Sequence, residues 1–497
     1  MRPKFKILIT ATEAVPYAKT GGLADVTGVL PKYLKQLGHD VRLVIPRYYE
    51  IDKVKYGLKE VQGALGVPMG VLGEEWCGVF EGKIPETDVP VYFIEHERYF
   101  GRKNLYNDDN GQGYMDNDNR FAFFSKACLQ LCKKLDFYPD IIHANDWQTA
   151  AIPILLNTTY KHDALGKAAS ILTIHNIQHQ GSFYEGLMDV LGIGWEHFNF
   201  LELEFNNQVN LLKGGILHST LITTVSDGYA KEIQSPEYAW GLEGVVKERA
   251  GSLYGILNGC DYSEWNPETD KYIVKNYSEN DLSGKLECKR DLQKTFGLPV
   301  RDDIPVFGIV SRLVKQKGVD ILSEALYSLF DLDAQFILLG TGEVWSHFYF
   351  GGAPKFFPDK IGVHIGFNNE LAHKIEAGSD FFIMPSRFEP CGLNQMYSLR
   401  YGTLPVVRAT GGLNDTVDNF NEQEMTGTGF KFYDPAANAL FNTIGWSVYT
   451  YYNNKPAMKK LIANAMQKRF TWENSAKKYE DVYYLAVRRR QNIYISS

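Results

Sequence analysis

The chain has 497 residues, of which 44% are hydrophobic and 22% charged, and its net charge is -7. This length suits two large domains or three average ones, and the composition is ordinary for a soluble globular protein. The slightly acidic balance favours neither nucleic acid nor a membrane surface as a partner. No apolar run approaches the roughly 18 residues that a membrane span needs, and the N-terminal run is too short for a signal peptide.

Cysteine usage and the common nucleotide motifs narrow the class further. The six cysteines form no CxxC pair and no regular framework, which predicts reduced thiols in a reducing compartment. No group of His, Cys and Glu has the spacing of a zinc site. Neither GxGxxG nor a phosphate-binding P-loop is present, which argues against dehydrogenases and kinases.

A glycine loop near the N-terminus predicts the first binding element. Gly21 and Gly22 lie between an apolar strand, Phe5 to Ile9, and a helical pattern from Asp25 to Leu37, with Lys19 beside them. A glycine turn before a helix presents backbone N–H groups to an anion. Nearly the same motif returns at Thr410, Gly411 and Gly412, after another apolar run. We predict that the two loops line opposite walls of one cleft.

Polar residues follow three further apolar strands in the first half of the chain. Asp146 follows the run 141–145, His175 and Asn176 follow the run 170–174, and Ser226 follows the run 221–225. Ligands of parallel α/β sheets bind beyond the carboxyl ends of the strands, so these residues are candidates as a group. A lone histidine is more often a core residue, but His175 shares this layer with Asp146 and Asn176.

A second α/β series begins after a glycine-rich crossing near residues 254–267. We place an N-terminal domain at 1–255, completed by residues 473–497, and a C-terminal domain at 256–472.

Asp331 and Asp333 form a DxD motif, but their position before a strand favours a structural turn. The last helix, 473–490, ends in Arg488, Arg489 and Arg490, which we interpret as a solvated helix end. The strands of the second series are predicted at 306–310, 335–339, 361–365, 381–384 and 404–407.

Two loops of the second series have residues suited to a diphosphate. In Ser311–Gly318, Arg312 offers a bidentate fork and Lys317 a point charge, although a basic loop is often mere surface. In Pro385–Leu393, Glu389 is placed to bind sugar hydroxyls and also to cap the next helix. The amides that would face an anion there belong to Cys391, Gly392 and Leu393.

The motifs together resemble one enzyme family. KTGGLADV, HANDWQ, TIHNIQHQG, ILNG-D, SRLVKQKG, PSRFEPCGLNQ and RATGGLNDTV occur in this order over nearly the whole chain. In this combination the chain resembles glycosyltransferase family 5, the bacterial glycogen synthases and plant-type starch synthases. The resemblance implies an α/β GT-B fold, with two Rossmann-like domains facing across a deep cleft and a C-terminal helix that crosses back to the first domain.

The resemblance also implies the reaction and its setting. Glucose would pass from a nucleotide diphosphoglucose, usually ADP-glucose, to the non-reducing 4-hydroxyl of an α-1,4-glucan such as glycogen or starch, with retention of the α configuration. The resemblance implies no cofactor, and we expect catalysis to need no metal. We expect a cytoplasmic bacterial enzyme, or a plastid or starch-granule enzyme in a photosynthetic source, and a homo-oligomer is possible.

Site roles follow from the matched motifs. Arg312 and Lys317 would neutralise the leaving diphosphate, Glu389 would hold the transferred glucose, and His175 and Asp146 would position sugar and acceptor. The expected donor-binding residues are Lys19, Gly21, Gly22, Asn176, Asn258, Cys391, Gly392, Leu393, Thr410, Gly411 and Gly412. Tyr397 stands where related families have a second glutamate, so ribose contacts are not assigned. No nucleophile is evident, which suits front-face attack in which the departing phosphate takes the acceptor proton.

Water would compete for an activated glucose, so we predict an open free form and a closed donor-bound form, which small-angle scattering would distinguish.

Three competing classes of protein fit parts of the sequence. KTGGLAD and HNIQHQG speak against a sucrose or trehalose-phosphate synthase using UDP-glucose. The intact Lys19, Arg312, Lys317 and Glu389 speak against a non-catalytic glucan-binding protein. A pyridoxal-phosphate glucan phosphorylase is normally far longer. The choice between ADP-glucose and UDP-glucose stays open.

Overall fold

The structure is a computed structural model that describes the backbone of residues 2–496 and the side chains of residues 2–492. The chain forms two compact units. Unit 1 comprises Met1–Val225, Ala230–Ile256 and Trp472–Ser497, and unit 2 comprises Ser226–Tyr229 and Leu257–Thr471. The helices, in chain order, are α1 Gly22–Gln36, α2 Glu97–Phe100, α3 Asn117–Lys134, α4 Ala151–Asn157, α5 Leu187–Leu191, α6 Leu211–His218, α7 Asp227–Glu232, α8 Glu243–Glu248, α9 Ser283–Thr295, α10 Val319–Leu329, α11 Val344–Phe356, α12 Asn369–Gly378, α13 Asn394–Arg400, α14 Gly411–Thr416, α15 Ala437–Asn453, α16 Lys455–Gln467 and α17 Trp472–Ser496.

Unit 1 is built on a large, mainly parallel sheet. Its strand order is β13-β12-β8-β7-β1-β2-β6-β5-β3, with β4 paired to β5, and a small antiparallel sheet β10-β11-β9 lies apart from it. The strands from β13 to β6 run parallel, whereas β5, β3 and β4 pair antiparallel at one edge. The strands are β1 Lys6–Thr10, β2 Asp40–Pro46, β3 Lys59–Glu60, β4 Leu65–Pro68, β5 Glu74–Lys83, β6 Pro90–Glu95, β7 Ile141–Asn145, β8 Ala169–Ile174, β9 Ser182–Phe183, β10 Glu204–Phe205, β11 Gln208–Asn210, β12 Leu221–Thr224 and β13 Leu253–Gly255.

The order of the central strands positions the candidate residues of unit 1. Strands β7 and β8 are buried at every residue, as expected for parallel strands covered on both faces. Because β12, β8, β7 and β1 are neighbours and parallel, their carboxyl ends meet at one edge of the sheet. The loops that follow these four strands therefore lie side by side.

The last helix, α17, is part of unit 1, as the family resemblance implies. Tyr483 OH lies 2.8 Å from His143 Nδ1, which ties the helix to β7. The interpretation of the terminal arginines as a solvated end is wrong for two of them. Arg490 is buried and donates to the Asn157 side chain at 2.7 Å, and Arg489 donates to Ser252 Oγ at 2.8 Å. These guanidinium groups fasten the helix by satisfying oxygen acceptors of unit 1.

Unit 2 contains a six-stranded, wholly parallel sheet in the order β16-β15-β14-β17-β18-β19. Alternate residues of these strands enter two buried clusters; Phe307 and Ile309 pack on one face of the sheet and Val306 on the other. Burial on both faces explains why the strands are continuous apolar runs. The strands are β14 Val306–Leu313, β15 Gln335–Gly342, β16 Ile361–Ile365, β17 Phe381–Met384, β18 Leu404–Arg408 and β19 Phe430–Phe432.

Some predicted bounds change in the structure. Strand β14 continues to Leu313, so Arg312 is a strand residue rather than a loop residue. Helix α1 begins at Gly22, so the second glycine opens the helix instead of preceding it. The DxD motif lies in the turn between α10 and β15, where Asp333 pairs with Arg301 at 3.0 Å. That pairing agrees with the structural interpretation of the motif.

All six cysteines are buried and free. None of the helices in residues 2–496 has the length and hydropathy of a membrane span.

Candidate functional site

The centre of the unit 2 site is an ion pair between two predicted residues. Lys317 Nζ lies 2.6 Å from Glu389 Oε2, and Ser386 Oγ donates to the same oxygen at 3.0 Å. Glu389 is only 4% exposed, so its carboxylate is held by these partners in an enclosed position. The two residues meet because β14 pairs directly with β17, and each residue lies in the loop after its strand.

The backbone of these two loops is locked together at Gly318. This glycine has φ of 72°, and a Cβ built on it would lie 2.0 Å from the carbonyl oxygen of Pro385. Only glycine permits both the left-handed conformation and the close approach. Arg387 links the loops further, because its backbone N–H donates to Gln316 O at 2.9 Å and its guanidinium pairs with Asp320 at 2.7 Å.

Arg312 lies at the end of β14 with its side chain exposed. Its nearest described partner is Gln316 Oε1, 3.4 Å from Nη2. Unlike Lys317, it is not fixed by a carboxylate. A guanidinium in this state can pair with an incoming phosphate without first breaking a strong ion pair.

The second TGGL motif packs against the loop that contains Cys391. A Cβ on Gly412 would lie 2.0 Å from Cys391 O, and the Gly412 N–H donates to Glu389 O at 3.0 Å. Gly411 has φ of 42° and begins α14 after Thr410. This motif is therefore adjacent to Glu389 within unit 2.

The amide groups expected to face an anion are Cys391, Gly392 and Leu393. Their N–H groups donate no hydrogen bond to any acceptor among the described residues. Gly392 has φ of 72°, which turns the backbone sharply before α13 begins. Successive N–H groups in such a turn form a small anion-binding concavity.

Asn258 lies beside this loop. It is 5% exposed, and its Oδ1 makes no hydrogen bond to the part of the chain that the structure describes. Its backbone contacts the thiol of Cys391, whose pKa burial raises to about 12. A buried amide oxygen without a protein partner is costly, and a ligand hydroxyl would satisfy it.

In unit 1, Asp146 and His175 meet where β7 and β8 end. The N–H of His175 donates to Asp146 Oδ1 at 2.7 Å, and the N–H of Asn176 also bonds the carboxylate. Burial nevertheless raises the pKa of Asp146 to about 7. Asp146 has φ of 55° and ψ of -177°, a conformation that glycine tolerates and other residues seldom adopt. Such strained positions cluster at functional sites.

His175 is 8% exposed, and burial lowers its pKa to about 3. Its Nε2 lies 2.9 Å from Asn145 Oδ1, while the Asn145 amide NH₂ group donates to Thr10 O. The amide oxygen must then accept, so Nε2 carries the proton and Nδ1 is an acceptor. His175 is thus a neutral hydrogen-bonding group, not a cation.

The first glycine loop differs from the expected tight turn. Neither Gly21 nor Gly22 has a positive φ, and a Cβ on either would meet no atom within 4 Å. The fold itself therefore does not require these glycines, but they leave space next to the backbone. Lys19 is exposed and pairs with Asp25 at 2.6 Å.

Sequence reasoning missed Glu13, the residue that holds this loop in place. Its buried carboxylate accepts from Thr20 Oγ1 at 2.7 Å, from Gly21 N at 3.1 Å and from Tyr106 OH at 2.6 Å. The Thr20 N–H also donates to it. Tyr106 belongs to the long polar loop after α2, so no local pattern could have linked it to Glu13. The only sequence signal was an acid three residues beyond the end of a buried strand.

An open cavity of about 480 Å³ lies in unit 1 next to these strand ends. It combines aromatic surfaces with amide and hydroxyl groups, a lining that suits a sugar. Trp147, directly after Asp146, contributes to it. The remaining lining residues are Asn117, Gln178, His179, Gln180, Gly181, Ser182, Phe183 and Trp240.

The predicted site residues thus form two groups. Asp146, His175, Asn176, Lys19 and the first glycine pair lie in the strand-end loops of unit 1. The others belong to unit 2, where all of them lie at or beside the loops after β14, β17 and β18. No predicted site residue belongs to the group of His, Cys, Asp and Glu side chains that has metal-binding separation in the described chain.

Comparison with known proteins is consistent across the chain. The family model described as starch synthase catalytic domain matches residues 6–248, and the one described as glycosyl transferases group 1 matches residues 293–467. Glycogen synthase 1 of Geobacter metallireducens is 64% identical over 488 residues, which cover 98% of this chain and 97% of that protein. Glycogen synthase of Treponema denticola is 43% identical, with 98% and 100% covered.

Solved structures agree. The catalytic domain of starch synthase IV from Arabidopsis thaliana, bound to ADP and acarbose, matches with a TM-score of 0.88 and 32% identity over 98% of this chain and 100% of that one. A sucrose-phosphate synthase from Thermosynechococcus elongatus, 16% identical with a TM-score of 0.58 over 99% of each chain, shares the fold alone. These matches identify the α/β architecture as the GT-B fold. The chain belongs to the glycogen and starch synthase family.

Proposed function

We propose that this protein transfers glucose from ADP-glucose to the non-reducing 4-hydroxyl of an α-1,4-glucan, with retention of configuration. The observation that carries the proposal is the enclosed Lys317–Glu389 pair at the carboxyl ends of the unit 2 strands. The 64% identical relative is named as a glycogen synthase, and the 32% identical starch synthase structure holds ADP. The bound ADP of the latter favours ADP-glucose over UDP-glucose as donor.

The cations of unit 2 supply the main chemical assistance in this proposal. Negative charge develops on the diphosphate as the bond to glucose breaks. Arg312, which is exposed, and Lys317, which is held by Glu389, would stabilise that charge. The N–H groups of Gly392 and Leu393 would bind the same anion. Lys317 is already held at the site before reaction, whereas Arg312 is free to turn toward the phosphate.

Glu389 and Asn258 would hold the transferred glucose. Glu389 keeps one carboxylate oxygen bonded to Lys317 and Ser386, so its other oxygen is available for a sugar hydroxyl. Asn258 offers the amide oxygen that lacks a described partner. No nucleophile is assigned; the departing phosphate would take the acceptor proton in a front-face attack. The proposed mechanism needs no metal or organic cofactor.

Unit 1 would provide the glucan site and further sugar contacts. The cavity beside Trp147 offers aromatic faces and amides for a glucan chain. His175, as a neutral acceptor through Nδ1, and Asp146 would orient hydroxyl groups. Lys19, Asn176 and the open backbone at Gly21 and Gly22 would contact the donor. Because the relatives are bacterial glycogen synthases, we place the reaction in a bacterial cytoplasm.

The test is a product analysis with defined substrates. The full chain is incubated with maltotetraose and either ADP-glucose or UDP-glucose, and the products are examined by chromatography and NMR. The proposal predicts maltopentaose with a new α-1,4 linkage and ADP release, faster with ADP-glucose. A faster reaction with UDP-glucose would refute the donor assignment. Glucan binding without turnover of either donor would instead identify a binding protein that has kept the fold.

A further inference from the structure

Three side chains in unit 1, none of them a proposed transfer residue, converge on one point. Glu202 Oε2 lies 2.6 Å from His197 Nδ1 and 3.3 Å from His218 Nε2. All three ligand atoms lie within 4.8 Å of one another. These residues are five and then sixteen positions apart in the chain, unlike the short pairs of common zinc motifs, so their spacing did not predict a zinc site.

The segments that hold these residues are well anchored. Lys213 on α6 donates to the carbonyl oxygens of Phe200 and Glu204, which fixes the loop on both sides of Glu202. The end of α6, where His218 lies, is bound by Asn157 and Arg249 through the carbonyls of His218 and Leu217. The three donors are therefore presented on a folded framework rather than on a loose surface loop.

A plain ion-pair network explains only part of this arrangement. The His197–Glu202 contact is a hydrogen bond of ordinary geometry. His218 Nε2, however, is buried and makes no hydrogen bond within the described chain, although it lies 3.3 Å from the carboxylate. The 3.3 Å between this nitrogen and the carboxylate oxygen matches the separation of two ligands of one tetrahedral ion, which would lie beside both atoms.

We propose that His197, Glu202 and His218 bind one divalent transition-metal ion of the zinc class, with solvent completing the coordination. Two imidazoles and a carboxylate form a donor set that zinc accepts. Metal–ligand distances of about 2.0–2.1 Å in a tetrahedron require donor atoms roughly 3.3 Å apart. The observed separations, from 2.6 Å to at most 4.8 Å, reach that value through small side-chain rotations.

The charged groups around the three ligands favour the binding of a cation. Glu196 Oε1 lies 3.9 Å from His197 Nε2 and adds a second carboxylate, while the Arg249 guanidinium, turned toward backbone carbonyls, opposes the ion. The ion would join the loop between Trp195 and Glu204 to the end of α6. Its role is therefore to stabilise this part of unit 1, separate from glucosyl transfer.

Zinc binding to the full chain tests the proposal. Protein stripped with chelator is titrated with ZnCl₂ by calorimetry, and bound zinc is counted by elemental analysis after dialysis. The variants are Glu202→Gln, which keeps the size of the side chain, and the double variant His197→Gln/His218→Gln. His162→Gln, at an exposed histidine outside the cluster, is the matched control. Circular dichroism verifies folding, and Glu202→Gln decides the test if the double variant is misfolded.

The proposal predicts one zinc per chain in the wild type and the control, and affinity at least about tenfold weaker in Glu202→Gln. Zinc should raise the thermal midpoint of the wild type and the control but not that of the variant. Absence of stoichiometric zinc in the wild type would overturn the proposal. So would wild-type affinity in Glu202→Gln, since the ion would then lie elsewhere.

Discussion

Lys317 Nζ and Glu389 Oε2 are 2.6 Å apart although 72 positions separate the two residues in the chain. Each lies just beyond one of two adjacent parallel strands, so the sheet itself creates the contact. The pairing holds the ammonium group of the lysine and the carboxylate together in an enclosed place. Taken singly, neither loop sequence identifies a binding site, because a basic loop is often plain surface and an acid before a helix is often a cap. The pairing of the two strands brings the two residues together.

Gly318 tests whether the fixed geometry of these loops matters. Gly318→Ala should lower the thermal stability, because its Cβ would meet Pro385 O at 2.0 Å in a left-handed conformation. We expect a loss of about 1–3 kcal/mol and lower transferase activity through displacement of Lys317. Gly352→Ala, a helical position with nothing within 4 Å, should be neutral or slightly stabilising. Equal thermal midpoints for the two variants in calorimetry would contradict the geometric argument.

Gly22 tests the opposite case, a glycine that the fold does not require. Gly22→Ala should leave the thermal midpoint unchanged, since its Cβ points into open space. If a substrate occupies that space, kcat/KM for ADP-glucose should fall at least about tenfold, because small displacements of reacting groups are costly. Gly244→Ala, also open and in the first turn of a helix, is the control for both measurements. Unchanged kinetics for Gly22→Ala would remove the loop from the substrate site.

Asp146 predicts a specific dependence of stability on pH. Its pKa in the fold, about 7, lies above the ordinary value of 3.8. The folded chain therefore retains a proton that the unfolded chain releases, and stability is lost as pH rises from about 4 through about 7. The pKa difference sets an upper limit of about 4 kcal/mol on this loss of unfolding free energy. The actual loss is smaller, because the residue is partly exposed.

Asp146→Asn lacks this titration. Urea unfolding of both proteins between pH 4 and pH 8 should show the wild type losing stability relative to the variant as pH rises. If the substitution also changes hydrogen bonding, it shifts the unfolding free energy by the same amount at every pH. The dependence of that free energy on pH is then unaffected. Parallel curves would mean that the fold does not raise the pKa of Asp146.

Buried parallel strands were predictable because both faces need apolar residues; the predicted bounds of β16 and β17 match the structure residue for residue. Strand β14 runs longer than its apolar run, because pairing with β15 continues through Arg312. Arg490 was misjudged for a related reason. Its burial depends on acceptors more than 300 positions away, which no helical pattern reveals.

Candidate site residues could be predicted from the sequence where they lie in a family motif. They could not be predicted where only the folded structure brings them together. Short family motifs contain Lys317, Glu389 and His175, so these residues can be recognised without knowledge of the fold. Glu13 was missed because its role requires Tyr106 from a distant loop. His197 and His218 were missed because α6 and the loop before it meet only in the folded unit.

The measurement that tests the central claim most directly is glucose incorporation into glycogen by the wild type, Lys317→Ala and Lys315→Ala. Lys315 is an exposed neighbour in the same loop and serves as the control. With ADP-glucose, we predict that Lys317→Ala lowers turnover at least about a hundredfold, the usual scale for removing a charge-stabilising group. Lys315→Ala should remain near the wild-type rate, and UDP-glucose should be the poorer donor. A near-normal rate for folded Lys317→Ala would contradict the account, because the pair at its centre would then have no part in the transfer.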